Sequence, residues 1–166
     1  STGLMYGGWA YSHIGAGSDG DRMVLDSSGN VFVIGSYCVG TTSSSCTATF
    51  GNDTLGITLY AGSGQALGHG AAFVVKLDSN GNWLWAEKAT GQNSGVRAVG
   101  IAIDSSGDAY VTGWAQISGG SGDSGYVTFG SITRDVDRWC AFVAKIDSSG
   151  TWEWLTTSYS QGSSSG

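Results

Sequence analysis

The sequence contains no proline, little charge, and very little histidine or glutamate. Only 12% of its 166 residues are charged, two are His, and the two Glu are Glu87 and Glu153. So few ionisable groups leave little material for acid–base catalysis or for a zinc site, which needs four ligands at short spacing. No apolar run approaches the ~18 residues of a transmembrane helix. These shortages disfavour an enzyme, a metalloprotein and a helical membrane protein.

The few charges give a net charge of −6 and a pI near 4.5. An acidic chain is repelled by the phosphates of nucleic acids and of anionic membranes. We therefore expect neither of them as a partner.

Glycine and aromatic residues are abundant instead. The chain has 29 Gly, seven Trp and seven Tyr, and hydrophobic residues make up 40% of it, so the glycine does not indicate plain disorder. Glycine suits tight turns, while aromatic and β-branched residues suit pleated strands. No segment carries a sustained helical stripe. The composition predicts an all-β fold.

One pentapeptide occurs four times, as DSSGN at 26–30, DSNGN at 78–82, DSSGD at 104–108 and DSSGT at 147–151. Each copy lies between two predicted strands, and its residue order is that of a hairpin turn closed by a left-handed Gly. The alternative is a set of calcium sites. A calcium loop needs several converging carboxylates, whereas each copy supplies one Asp, or two at Asp104 and Asp108. The sequence favours turns.

The two halves of the chain repeat each other. The matching segments are 23–37 with 101–115, TFG at 49–51 with TFG at 128–130, and 71–89 with 140–158. A self-similarity of this length predicts a repeated architecture. Within it, AFVVKLD and AFVAKID predict strands buried on both faces. Trp83 and Trp85, and likewise Trp152 and Trp154, stand two residues apart, so we expect each pair on one face of its strand.

The combined pattern resembles the SBBP-type β-propeller repeat, which occurs in tandem in secreted and cell-surface proteins of bacteria and archaea. The residues that carry the likeness in the first copy are Asp26, Gly29, Asn30, Val31, Val33 and Gly35, then Phe50-Gly51 and Phe73 to Asp78. In the second copy they are Asp104, Gly107, Tyr110, Val111 and Gly113, then Phe129-Gly130 and Phe142 to Asp147. The resemblance implies antiparallel blades. It supplies no catalytic residue, because the family shares none.

Two repeats are fewer than the four to eight blades of a typical closed propeller. YGGWAYS at 6–12 resembles the Trp strand at 83–89 but follows no repeat, and TWEWLTTSYS is followed by none. Identical copies would satisfy both ends by head-to-tail packing, as a ring or as a fibre. We therefore expect two propeller-blade-like antiparallel repeats, completed by homo-oligomerisation.

This interpretation divides the chain into four parts. They are an N-terminal strand and connection at 1–22, repeat 1 at 23–89 with loop insertions at 38–48 and 56–69, repeat 2 at 90–158, and a Gly/Ser tail at 159–166. His69 belongs to the Gly-rich insertion, and we expect it to be exposed.

Two of the three cysteines, Cys38 and Cys46, lie in a Ser/Thr/Gly loop that can close on itself. We predict a disulfide between them, the alternative being two free thiols; a bridge would indicate an oxidising compartment. The start at Ser1, without Met or an apolar leader, fits a processed secreted chain and equally a trimmed one. Cys140 aligns with Ala71, so we expect a buried free thiol, the alternative being an intermolecular disulfide.

No catalytic group is predicted, and neither is a cofactor or a metal. Glu87 and Glu153 occupy non-equivalent positions of the repeat, whereas a glycosidase needs paired carboxylates. DSSGTW at 147–152 is similar to a sialidase box but places its Asp one residue too early, and the arginines are scattered. Neither a nucleophile elbow nor a phosphate loop with its Lys is present.

Binding residues are easier to nominate. Trp9, Trp114, Trp139 and Tyr126 are candidate platforms for sugars, the alternative being core or interface packing. Asn52 in NDT is a candidate glycosylation site.

The sequence thus predicts a non-enzymatic structural subunit that self-assembles through head-to-tail β contacts into an extracellular filament or surface assembly. The alternative is a carbohydrate-binding or adhesive β-propeller module, or a fragment of a longer array. Either would be extracellular or at the cell surface.

Overall fold

The computed structural model describes residues 11–12, 17–39, 46–50, 57–61, 70–92, 94–117, 125–136 and 139–158. Every regular element within these ranges is a β-strand, which confirms the all-β class. The strands are β1 Tyr11–Ser12, β2 Gly17–Leu25, β3 Val31–Val39, β4 Cys46–Phe50, β5 Ile57–Ala61, β6 Ala71–Leu77, β7 Trp83–Gln92, β8 Ser94–Ile103, β9 Ala109–Ile117, β10 Gly125–Phe129, β11 Ile132–Val136, β12 Trp139–Ile146 and β13 Trp152–Thr157. Within the same ranges no helix is long and apolar enough to cross a membrane.

The two sequence repeats form two antiparallel sheets with the same strand order. Strands β2, β3, β6 and β7 are neighbours in one sheet, and β8, β9, β12 and β13 are neighbours in the other. We call these four-stranded units blade 1 and blade 2. Each strand of blade 1 therefore has a counterpart in blade 2, as the sequence match predicts.

Each repeat also forms an additional hairpin, β4–β5 in repeat 1 and β10–β11 in repeat 2. Strand β10 pairs with β7, with Thr128 opposite Thr90, so the hairpin of repeat 2 extends the sheet of blade 1 to six strands. Strand β4 pairs with β1 in the same way, with Thr49 opposite Tyr11. The N-terminal strand therefore lies where the last strand of a preceding blade would lie. Strand β5 is formed by part of the segment 56–69.

Each blade has two faces, which we call the back face and the front face. The back face carries Phe32, Ile34 and Val74 in blade 1, and it carries Tyr110, Thr112 and Val143 at the matching positions of blade 2. The front face is the opposite one, with Val31 and Val75 in blade 1 and Ala109 and Ala144 in blade 2.

The main core lies between the blades, where the back face of blade 1 packs against the front face of blade 2. Its largest fully buried members include Phe32, Ile34, Val111 and Phe142. Burial of such side chains stabilises the fold by ~2 kcal/mol each, which is the main force holding the blades together. An ion pair of 3.2 Å between Arg97 and Asp21 links β8 to β2 beside this core.

A second core lies on the front face of blade 1, under the hairpin β4–β5. Phe50 of β4 contacts the rings of Phe73 and Trp83, with centroid separations of 4.9 and 5.4 Å. The Phe of the FG motif thus packs into the front core of the blade formed by its own repeat. Phe129 does the same against Phe142 and Trp152 in repeat 2, at 5.0 and 4.9 Å.

The expectation that each Trp pair shares one face is wrong. The pairing between β6 and β7 shifts register between Lys76 and Leu77, so Trp83 lies opposite Leu77 and Trp85 lies opposite Lys76. A β-bulge places an extra residue in one strand and reverses the alternation beyond it. As a result Trp83 packs in the front core and Trp85 in the core between the blades. The same shift occurs at Trp152 and Trp154.

The burial of the two matching apolar strands differs. Strand β6 is buried along its whole length, which confirms the prediction for AFVVKLD. Strand β12 alternates between exposed and buried residues, so the prediction for AFVAKID is wrong. The reason is that blade 2 covers the back face of blade 1, whereas the back face of blade 2 lies uncovered.

Candidate functional site

The four repeated pentapeptides form the same turn. In the copy at 78–82, a carboxylate oxygen of Asp78 accepts hydrogen bonds of 2.8 Å from the backbone N–H groups of Asn80 and Asn82. Gly81 has φ = +87°, a region that costs an L-residue about 1 kcal/mol. The corresponding hydrogen bonds occur at Asp26, Asp104 and Asp147. This confirms the turn interpretation, since each carboxylate is held by its own backbone.

The hydrogen bonds also set the charge of these turns. The side chain and backbone of Asn82 lower the pKa of Asp78, and Ser149, followed by Thr151, lowers the pKa of Asp147. The aspartates are therefore ionised at neutral pH, and their carboxylates accept the hydrogen bonds that form the turns. No cluster of three or more His, Cys, Asp and Glu side chains suited to a metal ion occurs in the described ranges.

The two glutamates lie in different surroundings. Glu87 is half-buried on β7, where burial raises its pKa. Glu153 is exposed and forms an ion pair of 2.8 Å with Lys145. Glu153 is thus part of an ion pair on the back face of blade 2. That the protein has no catalytic residue stays a prediction.

The site that the fold does indicate is the uncovered back face of blade 2. Tyr110 and Val143 are 36% and 43% exposed, whereas their counterparts Phe32 and Val74 in blade 1 are 0% and 2% exposed. Trp139 and Trp154 are exposed on the same face. Several large apolar side chains exposed together on one face usually mark a contact with another molecule.

The front face of blade 1 has a matching uncovered strip along β2. Met23 and Leu25 are more than half exposed, and Val33 beside them is partly exposed. Their counterparts in blade 2, Ile101 and Ile103, pack against the core between the blades. Of the nine large exposed hydrophobic residues in the described ranges, six lie on these two end faces. They are Met23, Leu25, Tyr110, Trp139, Val143 and Trp154.

A lysine between aromatic rings occurs once on each back face. In blade 1, Lys76 Nζ lies 4.8 Å from the centroid of Phe32 and 3.8 Å from Asp26, and Trp85 stands edge-on to Phe32. Both Lys76 Nζ and Trp85 Nε1 donate hydrogen bonds of 3.2 Å to the backbone carbonyl of Ser148, in the last turn of blade 2. Lys76 is thereby buried beneath blade 2.

In blade 2 the same arrangement is built from Lys145, Tyr110 and Trp154. Lys145 Nζ lies 5.8 Å from the ring of Tyr110, and Trp154 stands edge-on to that ring at 6.0 Å. Lys145 forms ion pairs of 2.8 Å with Asp108 and Glu153, which raise its pKa and keep it charged. Among the residues that the structure describes, no turn covers this lysine as the turn at 147–151 covers Lys76.

The nominated aromatic residues are not gathered into one platform. The rings of Trp114 and Trp139 are in contact on the back face of blade 2, with centroids 4.9 Å apart and planes tilted by 38°. Tyr126 lies on the separate strand β10, where its hydroxyl hydrogen-bonds Gln92. Trp9 lies outside the described residues, as do Asn52 and His69.

The cysteine predictions have separate outcomes. Cys140 is a free thiol, 5% exposed on the front face of blade 2, which confirms the buried-thiol expectation. Burial raises its pKa and leaves little access for an intermolecular disulfide. The side chains of Cys38 and Cys46 lie outside what the structure describes, so their disulfide stays a prediction.

Sequence reasoning missed Met23, Leu25, Tyr110 and Lys145 as site residues. They are ordinary strand residues individually, and no local motif marks them. They could have been identified by aligning the two halves of the chain and asking which face of each repeat has no further repeat to pack against it.

The fold is that of an all-β protein built from repeated four-stranded antiparallel sheets. A family model described as beta-propeller repeat (SBBP) matches residues 89–121, which contain the end of β7 together with β8 and β9. Residues 89–121 are therefore similar to this β-propeller repeat. Neither the curated proteins nor the solved structures gave a match.

Proposed function

We propose that the protein is a non-enzymatic structural module whose copies associate head to tail. The back face of blade 2 in one copy packs against the front face of blade 1 in the next. This contact would repeat the apolar packing of back face on front face between the two blades of a single chain. The pairing of β10 with β7 would have no counterpart in it, because β1 and β5 already pair with β4. Because it joins two different surfaces, it closes as a ring or continues as a filament.

The observation that carries the proposal is the pair of uncovered end faces. Each aligns in sequence with a face that is covered elsewhere in the same chain. Val143 and Trp154 match Val74 and Trp85 on the back, while Met23 and Leu25 match Ile101 and Ile103 on the front. A repeat array with apolar rather than polar ends gains stability when copies cover those ends.

We further propose that the assembly is an extracellular filament or surface layer. The predicted Cys38–Cys46 disulfide and the low content of charge support an exposed coat in an oxidising environment.

The experiment that tests the proposal is a measurement of mass by light scattering over a range of concentrations, with negative-stain electron microscopy of the particles. Val143→Lys and Leu25→Lys each place a charge on one end face, so we expect either variant to remain at 17.0 kDa while the wild type forms rings or filaments. Thr133→Lys, at an exposed position of β11, is the control and should assemble like the wild type. A wild type that stays monomeric at every concentration would contradict the proposal.

A second candidate function is carbohydrate binding, favoured by the contacting pair of Trp114 and Trp139. Aromatic faces bind the apolar faces of sugars. Titration of glycans should then change the tryptophan fluorescence, and Trp139→Ala should abolish the change. Because this pair lies on the same back face, assembly and glycan binding would compete.

A further inference from the structure

We propose that the turn at 78–82 of one copy docks on Lys145 and Trp154 of the next. The backbone carbonyl of Ser79 would accept hydrogen bonds from Lys145 Nζ and Trp154 Nε1. This inference rests on the head-to-tail assembly proposed above and names the contact that would set its register.

The precedent lies within the chain. The turn at 147–151, at the tip of blade 2, covers the back face of blade 1 with the Ser148 carbonyl 3.2 Å from both Lys76 Nζ and Trp85 Nε1. Gly150 of this turn lies against the Trp85 ring so closely that an added Cβ would be 3.1 Å from it. The contact therefore needs two partners. One blade supplies a lysine and a tryptophan as hydrogen-bond donors, and the other supplies a turn with glycine at the point of closest approach.

The pair of donors found in blade 1, a lysine and a tryptophan, is repeated in blade 2. Lys145 and Trp154 stand at the positions of Lys76 and Trp85, around Tyr110 in place of Phe32. The ammonium group of Lys145 has three N–H donors, and its ion pairs with Asp108 and Glu153 occupy two of them. The third donor can therefore bind a carbonyl oxygen. Trp154 is exposed.

The docking turn found in blade 2 is repeated in blade 1. The turn at 78–82 has the hydrogen bonds and the left-handed glycine of the turn at 147–151, at Asp78 and Gly81. Yet a Cβ added at Gly81 would meet no atom within 4 Å, and none of the tryptophans that the structure describes lies beside it. A second copy is the occupant we commit to, since it supplies this turn in the orientation that the proposed face contact requires.

Photo-cross-linking tests the contact directly. In the full chain, Trp154→p-benzoylphenylalanine should give a cross-linked dimer on a denaturing gel, and mass spectrometry should place the bond within 78–82. Trp85→p-benzoylphenylalanine is the matched control, and it should cross-link within one chain to 147–151. A cross-link from position 154 to any other segment would overturn the inference, while the mass measurement decides the assembly by itself.

A pair of glycine variants provides an independent readout. Gly81→Ala and Gly29→Ala introduce similar backbone strain, because both glycines have left-handed φ values, +87° and +79°. A Cβ at Gly29 would lie in ordinary van der Waals contact with the Cβ of Ser79, 3.5 Å away, so it requires no shift of the turn at 78–82. We expect similar falls in melting temperature for the two monomers. Association should weaken at least tenfold for Gly81→Ala only, because its methyl group would meet Trp154 of the neighbouring copy. Equal association of the two variants would overturn the inference even if the copies assemble.

Discussion

At the scale of single residues, the repeated aspartates and the cysteines illustrate what local chemistry decides. The carboxylate of Asp147 binds the N–H groups of Ser149 and Thr151, within four residues. Because these partners lie close in sequence, the turn could be predicted from the pentapeptide alone. Cys140 was predictable for a different reason, since its counterpart Ala71 showed that the position takes a small apolar side chain.

The thiols give a prediction at this scale. If Cys38 and Cys46 form a disulfide, no thiol should react with a thiolate-specific reagent in the native protein, because Cys140 is buried and its pKa is raised. Denaturation without reductant should expose one thiol per chain, and reduction should expose all three.

The control is Cys140→Ala, which should remove the single thiol seen on denaturation. Two or three thiols in the unreduced, denatured wild type would show that the disulfide is absent.

At the scale of strands, the two bulged tryptophan strands and β12 show where the sequence pattern fails. The bulge between Lys76 and Leu77 arises in the pairing of β6 with β7, which no local periodicity encodes. The apolar run AFVAKID was expected to be covered on both sides. In the single chain only one side of it is covered, because the neighbour that β6 has is missing for β12.

Matched valines provide the prediction for these strands. Val74→Ala removes two methyl groups from a closed core, so we expect it to lower the free energy of unfolding by about 2 kcal/mol. Val143→Ala, at the corresponding exposed position, should change it by less than ~0.5 kcal/mol when the protein is monomeric.

Urea denaturation at a concentration where light scattering shows a monomer is the measurement. Losses of equal size in the two variants would mean that the back face of blade 2 is covered within the chain. The different exposure of Val74 and Val143 would then not reflect a difference in packing within the chain.

At the scale of the whole molecule, the two repeats depend on each other. Phe142 and Val111 of blade 2 are buried by blade 1, and strand β10 of repeat 2 finds its partner β7 in repeat 1. Stability in such an array comes from the interfaces between units as much as from the units themselves.

We therefore predict that repeat 2 alone, residues 90–158, does not fold. Separation would expose the front face of blade 2 and remove the partner of β10. The fragment should lack the sigmoidal denaturant transition and the dispersed amide spectrum of the full chain. A fragment with a cooperative transition like that of the full chain would contradict this dependence.

The sequence by itself determined the repeated turns, the strand segments and their correspondence between the halves, because these depend on neighbouring residues and on a repeat that can be aligned. It also indicated the resemblance to a propeller repeat that the family model matches at residues 89–121. Only the tertiary structure decided that the hairpin of repeat 2 joins blade 1, that the paired tryptophans face opposite ways, and which two faces are uncovered. Those features depend on contacts between distant parts of the chain, where several pairings satisfy the same alternation of apolar and polar residues.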